Sequence, residues 1–318
     1  MDNKMLTVSS PPHIYGPDTV VRRMRDVLVA LAPSCVLGVY YYGTHALFLM
    51  LISAGSAVIS EFLYQRVAGK RVTIDDFSAV VTGVLLALNL PPDAPYWLPA
   101  VGGVFAIVAV KQLFGGLGAN FVNPALAARA FLLASFPAFM TYWTLPDTSA
   151  GATYLALIKS DAGFTPRAAD YHALIFGKIG GCIGETSALA IVAGGAYLLA
   201  RRVISWHIPA CFVGSFALLS FLLGRDGPFY TGTPFELLAG GLLLGAFFMA
   251  TDYATSPISP AGKIIMGVGC GLLTVIIRFH SGYPEGVCFA ILIMNLFVPL
   301  IDKYVRPRIY GKKRGKRA

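Results

Sequence analysis

Runs of apolar residues recur along nearly the whole of this chain. A helix needs about 20 such residues to cross the hydrocarbon core of a bilayer. Ten stretches approach that length: roughly 27–43, 45–65, 77–91, 96–113, 123–142, 183–200, 204–223, 235–251, 261–278 and 284–301. Each predicts a helix. The third runs into "NLPPDAP" and the eighth into "TDYATSPISP", where proline removes a backbone donor and closes the helix. The pattern therefore predicts an all-α integral membrane protein with about ten transmembrane helices.

Two stretches resemble each other: "TGVLLALNLPP … VKQLFGGLGANFVNPALAARAFLLASFP" and "GGLLLGAFFMATDYATSPISP … VIIRFHSGYPEGVCFAILIMNLFVP". Each has a Gly-led apolar run broken before proline, then a span ending in a base (Lys111, Arg278), a glycine turn and a last span. Five spans per half is an odd number, so the halves are expected to insert with opposite orientation, as two inverted five-helix repeats. The expected organisation is an N-terminal segment (1–24), a first half (25–142), an external loop (143–182), a second half (183–302) and a basic tail (303–318).

Composition supports this class. The chain is 56% apolar and 13% charged, against about 25% charged in an ordinary soluble domain. Residues 1–24 lack the early apolar region of a cleavable signal. The formal charge of +9 is distributed as a topology signal rather than as a nucleic-acid footprint. With the N-terminus inside, the inner ends hold Lys4, Arg22, Arg23, Arg25, Arg66, Lys70, Arg71, Lys111, Arg201, Arg202, Lys263 and the basic tail. The outer ends hold only Lys159, Arg167, Lys178, Arg225 and Arg278. Positive-inside bias then predicts cytoplasmic termini and an external 143–182 loop. The tail "KYVRPRIYGKKRGKR" reads as a topology anchor near anionic membrane lipid, with no nucleic-acid partner expected.

Candidate chemistry is sparse. Cys35, Cys182, Cys211, Cys270 and Cys288 stand singly without a CxxC pair, so they read as small buried residues rather than as metal or cluster ligands. "GVGCG" (267–271) lies within an apolar span with no preceding strand, which favours close helix packing over a dinucleotide loop. Charges within spans are costly, roughly 2.5–3.5 kcal/mol at the bilayer centre on insertion scales. Glu61 and Arg129 lie on predicted spans, and Asp252 and Glu285 at breaks. They are either helix-end pairs and snorkelling groups, or cofactor contacts and parts of a cation path.

In the external loop, "DTSAGATYLALIK" (147–159) reads from its residue types as a turn, Ser149-Ala150-Gly151-Ala152-Thr153, leading into a short helix capped by a hydroxyl. Further on, "GGCIGETS" (180–187) precedes the sixth span. Backbone N–H groups at a helix start can hold an anion such as a phosphate. Gly181, Gly184, Thr186 and Ser187 are candidates for that role, against a simple capped helix start. Glu185 is either a capping acid or a cofactor neighbour.

"MRDVLVALAP", "NPALAARAFL", "GETSALAIVAGG" and the block from "FMATDYATSPISPAGK" to "NLFVPLID" together resemble the D subunit of the Rnf electron-transport complex over essentially the whole chain. More distantly, the chain resembles the homologous B subunit of the sodium-pumping NADH:quinone reductase, whose longer N-terminal region it lacks. In that family a threonine of a Ser/Thr-Gly-Ala-Thr motif carries FMN through a phosphoester made by a flavin transferase. The matching residue is Thr153, with Gly151 and Ala152 before it. Ala150 stands where the motif has Ser or Thr, and Ser149 one position earlier. The resemblance also implies a noncovalent riboflavin in the membrane region and a place among other Rnf subunits in the cell inner membrane, especially the external flavoprotein G subunit. It further implies electron transfer coupled to sodium or proton movement between ferredoxin and NAD. Gly184, Glu185, Thr186 and Ser187 are carried forward as candidate flavin contacts. Phosphate attachment leaves the isoalloxazine ring free to be tuned by its surroundings. The inverted halves with broken helices also suit a solute transporter or channel, and a purely structural membrane subunit is the remaining alternative.

Overall fold

A computed structural model describes residues 19–143, 153–160, 167–177, 179–224, 232–282 and 285–305, and among these every regular element is helical. Helix α1 (Val20–Val67) is one continuous run broken at Gly43, whose φ of 72° and ψ of −159° leave the helical region. Glycine adopts that backbone at little cost. The break divides α1 into the first two predicted stretches. Helix α2 (Ser78–Leu88) ends at the "NLPP" break, and α3 (Trp97–Phe105) continues through a π-helical segment, Ala106–Gln112. Helix α4 (Pro124–Ser135) starts at Asn123, whose side-chain oxygen accepts from Ala125 N at 3.0 Å and Leu126 N at 3.3 Å; a proline at its first position needs no donor. A short α5 (Pro137–Met140) follows a break at Phe136.

Two small helices, α6 (Tyr154–Ser160) and α7 (Ala168–Phe176), come from the polar loop. A 3-10 turn, Ile183–Glu185, then leads to α8 (Ala188–Ala200) and α9 (His207–Leu223). The eighth predicted stretch is interrupted: α10 (Thr233–Leu238), α11 (Leu242–Leu244) and a π-helical segment, Gly245–Met249. Helix α12 (Pro260–His280), capped by Ser259, and α13 (Val287–Tyr304) complete the bundle. All ten predicted stretches thus contain helix. By length and composition, α1, α12 and α13 can each cross a membrane. Several of the others are shortened by the proline, π-helical and glycine interruptions that end them.

One large core runs from α1 to α13, with Leu31, Leu49, Leu86, Phe212, Leu244 and Ile291 fully buried in it. Large apolar side chains such as Val36, Leu51, Leu218 and Leu296 point outward, as suits a protein surrounded by lipid tails. Between such helices the hydrophobic drive is weak and close packing takes over. "GVGCG" performs that role: a Cβ on Gly267 would sit 2.8 Å from Cys211 Cβ and 2.9 Å from the Ile208 carbonyl of α9. A second, small core holds the loop helices, with Leu155, Ile158, Leu174, Ile179, Phe235 and Ala239 in contact and Tyr154 and Tyr171 edge-on to Phe235 at 5.3 Å each.

Candidate functional site

Tyrosines just before the Gly43 break fasten the loop segment to the bundle. Tyr41 donates to the Phe176 carbonyl and Tyr42 to the Ile179 carbonyl, each at 2.8 Å. Two residues after the break, His45 Nδ1 lies 2.8 Å from the Pro92 carbonyl. The Gly43 break thereby positions both the loop and the "NLPP" turn. Backbone pairing continues the link, with Ile183 N donating to Leu90 O at 3.0 Å.

Thr153 is buried, with 6% of its surface exposed. Its hydroxyl oxygen accepts from Ala156 N at 3.2 Å, so it caps α6 as the residue pattern predicts. Next to it, Tyr154 donates to Asp170 at 3.0 Å, and Asp170 also accepts from Arg167 N at 2.8 Å. Burial and then Asp170 push the Tyr154 hydroxyl up to about 12. Ser149, Ala150, Gly151 and Ala152 lie outside the described residues.

Thr153 shares a small pocket with Leu155, Leu174, Ile179, Glu185, Gly240 and Glu285. The structure thus brings Thr153 and Glu185 together across the loop. The other candidates in "GGCIGETS" are turned elsewhere. Ser187 caps α8, accepting from Ala190 N at 3.3 Å and donating to Ile175 O at 2.8 Å. Thr186 donates to Ile183 O at 3.2 Å, and Gly184 packs against Leu88.

Next to the pocket is a buried polar cluster that joins α4 to the segments before α8 and α13. Arg129 of α4 donates to Asn89 Oδ1 at 3.0 Å and to Glu285, and its Nη2 lies 3.5 Å from Cys182 Sγ. Cys182 in turn lies 3.3 Å from Asn89 O. Ligand atoms of Cys182, Glu185 and Glu285 all fall within 4.8 Å of one another. The Arg129 guanidinium on this trio disfavours a metal cation there. In the sequence Arg129 and Glu285 stand out as costly charges, but neither has an assigned partner. The signal is the "NLPP" break, which opens with Asn89, whose side chain meets Arg129. Cys182, read as a small buried residue, is buried here.

A larger cavity lies elsewhere in the bundle, lined by residues of α1, α2, α4 and α8 and of both π-helical segments. Its polar wall includes Arg23, Ser78, Lys111, Asn120, Asn123 and Asp252, and its apolar wall includes Val81, Leu85, Leu198 and Phe248. Behind Lys111, Glu61 accepts from its Nζ at 2.8 and 2.9 Å and from Gln112 at 2.7 Å; Lys111 also donates to Ser78 at 2.6 Å.

A profile of the NQR2, RnfD, RnfE family matches residues 7–311. The chain belongs to this family. Among its relatives, the D subunit of the Na(+)-translocating ferredoxin:NAD(+) oxidoreductase complex of Acetobacterium woodii is 49% identical over 98% of this chain and 97% of its own length. The D subunit of the proton-translocating ferredoxin:NAD(+) oxidoreductase complex of Clostridium ljungdahlii is 41% identical over 98% and 97%. The D subunit of an ion-translocating oxidoreductase complex of Halorhodospira halophila is 38% identical over 95% of each chain. The family assignment made from "GETSALAIVAGG" and the late block is borne out across the chain.

Proposed function

We propose that this chain is the D-type membrane flavoprotein subunit of an Rnf-type ferredoxin:NAD oxidoreductase complex in the cell inner membrane. Near full-length similarity to the D subunits of three such ion-translocating complexes carries the reading. Their named ions differ, sodium in one and protons in another, so no coupling ion is proposed for this chain. Thr153 is the attachment residue for FMN, placed there by a flavin transferase from FAD. Its oxygen accepts from Ala156 N and lines an open pocket, so a phosphoester at that atom is compatible with its capping role. Bound there, the flavin would supply one-electron and two-electron exchange with the externally facing G subunit.

The larger cavity combines apolar walls with a few convergent polar groups, as small-cofactor sites do. It is the proposed place for noncovalent riboflavin, with Asn120 and Asp252 on its polar wall toward a ring edge. Both termini are then cytoplasmic and the 143–182 loop external.

Intact-protein mass spectrometry of the chain from its native membrane tests the tether. The expected result is a mass gain of one FMN minus one water, lost in Thr153→Val. An unmodified native chain, in a cell with active flavin transferase, overturns it. Release of riboflavin on denaturing the protein, reduced by Asn120→Leu without loss of the covalent group, tests the second site.

A further inference from the structure

The cluster beneath Thr153 holds more acid than base. Glu185 is 3% exposed and Arg129 7%, and the Glu285 side chain is 14% exposed. Arg129 engages Glu285 directly, which among the described residues leaves Glu185 with no cation of its own. Glu185 Oε1 is buried with no hydrogen-bond partner among the described residues, and it faces the backbone of Gly241, where a Cβ would sit 2.8 Å away. Glu185 and Glu285 also line the same pocket.

The other titratable groups around the pair do not supply the missing charge. Cys182 and Cys288 are neutral thiols held on the carbonyls of Asn89 and Leu126. Tyr42 is committed to Ile179 O. Beyond Gly240, Arg278 of α12 is engaged elsewhere, donating to the Glu236 and Ala239 carbonyls and stacking on Phe216 at 4.9 Å. Two carboxylates sharing one guanidinium in a dry site cannot both stay ionised cheaply; one keeps a proton. A phosphodiester on Thr153 would add a further negative charge to the same pocket and strengthen that preference.

We propose that Glu185 and Glu285 hold one proton between them under Thr153, and that this pair donates and recovers that proton when the flavin carried on Thr153 is reduced and reoxidised. The donor role rests on the reading of Thr153 as the flavin carrier; the shared proton does not. When an electron arrives from a partner subunit, the pair releases its proton toward the added charge and remains as two carboxylates beside Arg129. When the electron leaves for the next carrier, the proton returns to the pair.

Infrared difference spectroscopy separates the two parts. In the flavin-free Thr153→Val chain near neutral pH, a buried carboxylic-acid C=O stretch that shifts in D2O is expected, and it is lost in Glu185→Gln on that background. Where Glu285→Gln fails to fold, Glu185→Gln decides alone, because its Oε1 has no described partner to lose. Absence of the band, or its removal by added sodium, overturns the shared proton. In the flavinylated chain, dithionite reduction is expected to bleach the band and reoxidation to restore it. A band indifferent to reduction overturns the donor role and leaves the shared proton standing. If mass spectrometry finds no flavin on Thr153, the tether reading fails while the flavin-free spectrum still judges the pair.

Discussion

Two buried charge clusters sit at different levels of this bundle, and they are built differently. Around Glu61 there is one acid and one base, and the acid is saturated: Lys111, Gln112 and Gln65 all donate to it. Around Glu285 there are two acids, one base and an oxygen with no partner among the described residues. A complete network rigidifies, whereas an incomplete one stays responsive to what enters it. The first cluster reads as a brace between α1, α2 and the π-helical end of α3. The second opens on the Thr153 pocket and reads as working chemistry.

Substitutions break or sharpen this contrast. Glu61→Gln strands Lys111, which is 2% exposed, as an unpaired buried cation, and is expected to cost about 3–5 kcal/mol. Denaturant unfolding in detergent measures it, and the double variant Glu61→Leu with Lys111→Met recovers most of the loss. Gly184→Ala pushes a Cβ to 2.7 Å from Leu88 Cβ and 2.9 Å from Leu88 O, an overpacking expected to cost about 1–3 kcal/mol. Its test is a lowered melting temperature together with altered accessibility of the Thr153 loop to protease.

Tyr154→Phe removes the bond to Asp170 and is expected to cost about 0.5–1.5 kcal/mol, seen as faster hydrogen exchange in α6. The Tyr154 hydroxyl is raised from 10.0 to about 12 in the fold. The unfolded chain therefore loses its proton first, and the loop's stability falls as pH rises from about 10 toward 12. Smallest of all, Glu185→Gln is expected to change stability by less than about 1 kcal/mol, because an acid that already carries a proton resembles an amide in charge. A loss equal to that of Glu61→Gln would make the two clusters alike and end the distinction.

Much of the fold was legible because membrane insertion writes itself into composition. Apolar runs gave helices in all ten stretches, and "NLPP" marked a true break. The extent of other interruptions was less visible. The Gly43 break falls where the first two apolar stretches were parted, between residues 43 and 45, but neither π-helical segment has a sequence signature of its own, since both depend on how neighbouring helices relieve the backbone. At the site, Thr153 and Glu185 were singled out separately, from "AGAT" and from "GETS". That they face one pocket depends on Tyr41 and Tyr42 tying the loop down, across separations of 135 and 137 residues in the chain.

The sequence by itself determined the class of protein, the positions of its helices and its family. Those properties follow from local polarity and from motifs that are contiguous. Only the tertiary structure decided which charges are paired. Glu61 found Lys111 at a separation of 50 residues, and Arg129 found Glu285 at 156. The cost of burying a charge is visible in one residue, but what offsets it depends on which helix packs alongside.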